Sequence, residues 1–181
     1  MLTERRRTAL KDKYLRLLTN IEREGMGKLI TFLLAEGIND CPASIKYHQN
    51  YKTGLIEHKL GMYDILCKEV KTHKLNTPHE SIVIVALLHD ICKLDNYVVD
   101  ESSPCGFSYN KGPVMKGHGG KSVSLAKSFI ELTEEEELAI RYHMGIYSGE
   151  YSWDEFGDAI RKYPLVYLAH VADMKDSYNI R

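Results

Sequence analysis

The chain lacks a cysteine framework. Its four cysteines, Cys41, Cys67, Cys92 and Cys105, stand 26, 25 and 13 residues apart with no C-x-x-C pair, so reduced thiols in a cytosol are the expected state. It also lacks a long apolar run. The longest, Ser81 to Leu88, falls far short of the ~20 residues that cross a bilayer, and no apolar segment follows the charges of Met1-Leu2-Thr3-Glu4-Arg5-Arg6-Arg7. The expectation is an unexported, cytoplasmic protein with no membrane partner. An excess of either charge is missing too: 24 Lys and Arg face 25 Asp and Glu, which argues against a broad nucleic-acid-coating surface. No linker, low-complexity tract or repeat interrupts the 181 residues. They read as one domain, 1–181, able to bury roughly two-thirds of its unfolded surface without a disulfide.

What is present is helical punctuation. Three capping boxes stand out, Thr77-Pro78-His79-Glu80, Thr133-Glu134-Glu135-Glu136 and Ser152-Trp153-Asp154-Glu155. In each the hydroxyl can accept from the third helical N–H while the Glu reaches back to the cap. Apolar periodicity then predicts an all-α chain of about eight helices, at 3–19, 23–36, 54–73, 78–93, 118–131, 134–144, 153–162 and 164–178. The first two, within 1–40, are expected to pack on a core spanning 41–178. Residues 95–117 resist helix, with a short hairpin expected at Tyr97-Val98-Val99 and Phe107-Ser108-Tyr109. A loop this long in a small domain is expected to overhang a site. Charge is uneven: +4 over residues 1–28 and −8 over 131–158, read as solvated helix faces.

The stretch Ser81 to Lys93 is apolar on every side for seven residues, which marks a central, buried helix. His89 and Asp90 emerge at its end. An imidazole and a carboxylate beside the core are costly unless compensated, and a divalent cation held by both compensates directly. Partners recur at helix-sized intervals: His58 lies 31 residues before His89, His118 28 after Asp90, His143 25 further on, and Asp173 30 beyond that. Such residues, each on a different helix, can project into one bundle interior. Imidazole and carboxylate ligands suit Mn²⁺, Fe²⁺, Co²⁺, Ni²⁺ or Zn²⁺ better than Mg²⁺, and no thiolate enters the set. Lys93, near both His89 and Asp90 along the chain, can neutralise Asp90 or meet an anionic substrate.

The order His58, His89-Asp90, Asp173, carried by GLIEH, ALLHDICK and LAHVADM, resembles the signature of the HD-domain metal-dependent phosphohydrolase superfamily, an all-α fold. His118 in KGHGGKS and His143 in AIRYHMG resemble the extra histidines of its two-metal members. Across about 43–174 the segments are also similar to a subgroup of small bacterial and bacteriophage HD hydrolases. Cys92 stands where many members have Gly, and Gly120 where the subgroup commonly has an acid. The resemblance implies one or two metal ions on His58, His89, Asp90, His118, His143 and Asp173, with Asp90 bridging a pair. It further implies a metal-activated water that attacks a phosphoester, with Lys93 and Lys121 stabilising charge on the phosphate. With a single ion, His118 and His143 become phosphate ligands or a general acid instead.

His48, Arg141 and Tyr147 are candidates for substrate contact, and His170, three residues before Asp173, for a partner of a ligand. The expected function is hydrolysis of a phosphoester in a nucleotide or other small phosphorylated substrate. Two alternatives stand beside it. One is a 3′–5′ exonuclease-like phosphodiesterase on single-stranded nucleic acid, for which Arg5-Arg6-Arg7 is the main basic feature. The other is a non-catalytic nucleotide- or metal-binding regulator.

Overall fold

Ile82 to Leu88 offer no polar face, and they lie at the centre of the molecule. The computed structural model describes residues 2–112, 118–148 and 151–180, with 147 and 148 as backbone only. In it α4 (His79–Leu88) is buried from Ser81 onward. Around it stand α1 (Glu4–Thr19), α3 (Gly54–Thr72) and α6 (Glu134–Arg141). Helix α2 (Met26–Ala35) covers α1, α5 (Gly119–Lys127) lies against α6, and α7 (Trp153–Lys162) packs on α8 (Pro164–Ser177), which runs along α3. The described residues thus form an all-α bundle of eight helices with one small ribbon, and a single apolar cluster runs from Leu10 to Ala172.

Most helix ends lie where capping chemistry puts them. Thr133 and Ser152 each accept from the third helical N–H and receive the returning glutamate, Glu136 or Glu155. Pro164 opens α8, where its missing N–H leaves no donor unpaired. The box at Thr77 does not form. Pro78 takes the cap position itself, with φ −55° and ψ 137°, so α4 starts one residue later and without a side-chain cap.

The central helix is also shorter than its pattern suggests. His89 keeps helical dihedrals, but Asp90 sits at φ −116°, ψ 24°, and the chain continues as a 3₁₀ turn, Ile91–Asp95. Asp90 therefore leaves the helix axis directly after His89. The ending frees late carbonyls of α4. That of Leu87 is taken by the buried Lys59 ammonium at 2.8 Å, with the Tyr14 hydroxyl at 3.4 Å.

The expected hairpin forms, with β1 (Tyr97–Val99) antiparallel to β2 (Phe107–Tyr109) and Tyr97 opposite Tyr109. Residues 113–117 of the same loop lie outside the described residues. The basic start and acidic later segment of the chain meet at Arg23. Its guanidinium donates to Glu80, to both oxygens of Glu136 and to the Glu131 carbonyl.

Candidate metal centre

Five different places in the fold deliver the six expected ligands. His58 lies in the second turn of α3, His89 and Asp90 follow α4, His118 caps α5, His143 follows α6 and Asp173 lies on α8. Two glycines make the convergence possible. A Cβ at Gly119 would lie 2.0 Å from the Arg141 carbonyl oxygen, so only glycine lets α5 approach the end of α6 and seat His118 beside His143. Their ring centroids are 5.4 Å apart. A Cβ at Gly61 would lie 1.9 Å from an Asp176 oxygen.

The side chains meet on one carboxylate. Asp90 Oδ2 is 3.4 Å from His89 Nε2, 3.7 Å from His58 Nε2 and 2.5 Å from Lys93 Nζ. Asp90 Oδ1 is 3.1 Å from His118 Nε2 and 3.4 Å from His143 Nε2. Asp173 Oδ1 lies 3.0 Å from His58 Nε2 and 3.8 Å from His89 Nε2. Two groups have ligand atoms close enough to share an ion: His58 with His89 and Asp90, and Asp90 with Cys92 and His118. Asp90 is common to both.

The outer edge of each imidazole is anchored. His89 Nδ1 donates to the Ala86 carbonyl at 2.9 Å, His143 Nδ1 to that of Ile140 at 2.7 Å, and His58 Nδ1 to Asp176 Oδ2 at 2.9 Å. A carbonyl can only accept, so Nδ1 of His89 and His143 carries a hydrogen, and in the neutral ring this leaves the Nε2 lone pair facing inward. Metal-bound histidines are held in this way. Among the described residues, His143 Nε2 and Asp90 Oδ1 are buried and make no hydrogen bond. His58 and His89 Nε2 face each other at 3.2 Å, a separation that two bare lone pairs cannot share without a proton or cation between them. The residues present therefore fit a divalent metal.

Electrostatics agree. Burial opposes the charge on Asp90, yet Lys93 and the surrounding imidazoles hold its carboxyl well below the usual range. Asp173, equally buried, is held down by His58. Burial disfavours imidazolium at His58, but Asp173 and Asp176 raise it to about 9. At His118 the Cys92 sulfur and Asp90 outweigh burial and raise it to about 10. His89, where burial dominates, falls to about 4 and stays neutral. Three buried carboxylates, Asp90, Asp173 and Asp176, thus surround the imidazoles, with Lys93 as the ammonium in contact.

Not every expected residue joins the cluster. Lys121 pairs instead with Asp95 and reaches Asn96 at 3.3 Å, which puts its ammonium at the root of the ribbon rather than on the ligands. Arg141 is held by Glu137 at 2.8 Å. The side chain of Tyr147 lies outside the described residues. His48 does arrive: its ring is 4.8 Å from that of His58 and lines a cavity of about 460 Å³ above the cluster. Asp90, Lys93, His118 and Asp173 face this cavity from below, and Tyr97 and Tyr109 of the ribbon form part of its wall. His170 holds the backbone carbonyl of His143 at 2.7 Å, under Gly145 with φ +57°. Asp176 and Cys92, absent from the expected set, are the side chains that contact His58 Nδ1 and His118 Nδ1. Asp176 lies three residues after Asp173, a spacing that alone does not single it out, and Cys92 differs in the sequence only as a departure from glycine.

Comparison with known proteins finds no matching family model and no matching solved structure. The chain is similar to the dihydroneopterin 2′,3′-cyclic phosphate phosphodiesterase of Methanocaldococcus jannaschii, 32% identical over 96 residues, or 51% of this chain and 37% of that protein. It therefore spans well under half the length of this curated relative. No helix among the described residues is long and apolar enough to cross a membrane.

Proposed function

We propose that this chain is a metal-dependent phosphohydrolase of the HD type, 1–181 forming one unit in which 1–40 pack on the metal-binding core 41–178. The observation that carries the reading is the convergence of four anchored imidazoles and two carboxylates on one buried point. The likeness to a cyclic phosphate phosphodiesterase supports phosphoester hydrolysis. One or two ions of Mn, Fe, Co, Ni or Zn fit the nitrogen and oxygen donors of His58, His89, Asp90, His118, His143 and Asp173. When bound, such an ion polarises a phosphoryl oxygen and makes a water nucleophilic near neutral pH.

The chain's own residues do the rest. Asp90 ties both halves of the cluster, and Lys93 neutralises it while lying at the cavity floor, where its ammonium meets the non-bridging oxygens of a phosphate. His118, at 23% exposure the most open of the four imidazoles, stands next to that phosphate. The cavity of about 460 Å³ has the size of a small-ligand site, roughly 300–1,000 Å³. Its tyrosine wall and His48 suit the planar ring of a nucleotide or a related heterocycle. Lys121 anchors the ribbon that carries this wall, and Arg141 stays on α6. The four cysteines, all unpaired, fit a reducing cytoplasm.

The test is elemental analysis of the purified protein together with turnover of nucleoside 2′,3′-cyclic phosphates, mono-, di- and triphosphates and oligonucleotides. At least one transition ion per chain is expected, with hydrolysis of a small ester that falls by about a hundredfold or more in Asp90→Ala. Equal turnover and full metal content in Asp90→Ala would overturn the reading. Salt-sensitive cleavage of oligonucleotides in preference to small esters would favour the exonuclease, and metal without any turnover the regulator.

A further inference from the structure

Three of the four imidazoles have an oxygen behind them; the fourth has a sulfur. His118 Nδ1 lies 3.2 Å from Cys92 Sγ, where His58 has a carboxylate and His89 and His143 have backbone carbonyls. His118 stands at the cap of α5 with φ −120° and ψ −79°, makes no capping bond and is the most exposed of the four. Cys92, by contrast, is fully buried, and its backbone N–H donates to Ser122 Oγ at 3.2 Å, one turn into α5. One residue thus joins the turn bearing Asp90 to the helix bearing His118 through both its backbone and its side chain.

We propose that Cys92 is a positioning residue: its sulfur takes the Nδ1 hydrogen of His118 and aims Nε2 at Asp90 Oδ1, so that the second half of the metal centre depends on a thiol. His143 Nε2 and His118 Nε2 both face Asp90 Oδ1, at 3.4 and 3.1 Å, and the buried His143 Nε2 makes no hydrogen bond there, which points to the place of a ligand. Since Cys92 and His118 also fall within one possible ligand group, the sulfur has two conceivable roles. The geometry favours the outer one. Nε2 of every imidazole in the cluster faces Asp90, and the sulfur touches His118 on the opposite side of its ring.

The inference rests on the metal-hydrolase reading, and the experiment separates the two. Purified wild type, Cys92→Ala, Cys92→Ser and His118→Ala are titrated with Mn²⁺ or Zn²⁺ against a competing chelator, and the number and affinity of bound ions are measured without substrate. In Cys92→Ala one ion is expected to bind about 10–100-fold more weakly while the other is unchanged. His118→Ala is expected to weaken the same ion. Cys92→Ser, whose hydroxyl can accept the same hydrogen, is expected to recover affinity to within a few-fold, which a defect of packing alone would not do. Unchanged affinities in Cys92→Ala, including a wild type that holds one ion unaffected by the change, would overturn the positioning role and leave the hydrolase standing. No metal in wild type would overturn both. Cobalt-loaded wild type is expected to lack a thiolate-to-cobalt charge-transfer band; its presence, and loss in Cys92→Ser, would make Cys92 a ligand and overturn the outer role.

Discussion

Asp176 owes its place to a side chain that is missing. Gly61, one turn after His58 on α3, leaves the space into which the Asp176 carboxylate fits, and from there it holds His58 Nδ1 and accepts from Gln49 at 3.1 Å. Gly61→Ala should therefore displace the carboxylate. We expect a loss of about 1–3 kcal/mol in urea denaturation, the usual cost of overpacking, together with weaker metal binding. Gly27→Ala is the control: its Cβ meets nothing within 4 Å, so stability should hold or rise slightly, alanine being the better helix former. Asp176→Asn keeps an acceptor but removes the charge, and metal affinity measured by chelator competition should fall about 10–100-fold. Equal affinity would show that Asp176 only fills space. The six proposed ligands stand out in the sequence because each sits in a local pattern of its own. Asp176 and Cys92 do not, because what makes them useful is the emptiness at Gly61 and the nearness of α5, neither of which is local in sequence.

At the scale of elements, the start of α6 is the joint that binds the periphery to the core. Glu136 closes the capping box on Thr133, accepts from Ser81 of α4 at 2.7 Å and receives the Arg23 guanidinium. Burial alone would raise its pKa, but Arg23, Ser81 and the Thr133 N–H hold it below the ordinary 4.5. A carboxylate whose folded value is depressed binds fewer protons folded than unfolded, so its contribution is complete above the unfolded value and disappears as pH falls through the folded one. Glu136→Gln should cost about 2 kcal/mol near neutral pH, the scale of a charged hydrogen bond. In thermal melts its deficit against wild type should stay constant from pH 8 to 6 and shrink below 4.5. The capping box was visible in the sequence; the burial of its glutamate was not, since Arg23 lies 113 residues away. The same limit explains α4. An unbroken apolar pattern cannot announce that α4 gives way to a 3₁₀ turn at Asp90.

For the whole molecule, the proposed metal would tie directly to stability, because the unfolded chain scatters its ligands from His58 to Asp173. An ion at a hundred times its dissociation constant contributes about 2.7 kcal/mol, which for a chain of this size is a rise in Tm of about 5–10 °C. Calorimetry of the chelator-stripped and reloaded protein should show it, and no shift would mean that the cluster holds no ion. The near balance of charge matters at this scale too. With a net −1, long-range steering of an anion is weak, and kcat/KM for a small substrate should change little with salt. The dispersal of ligands also has a consequence in time. On the ribosome the residues up to Asp90 emerge first, His118 and His143 follow, and α8 brings Asp173 and Asp176 last. The proposed centre is therefore complete only once α8 has been made and has settled along α3, well after His58, His89 and Asp90 have left the ribosome.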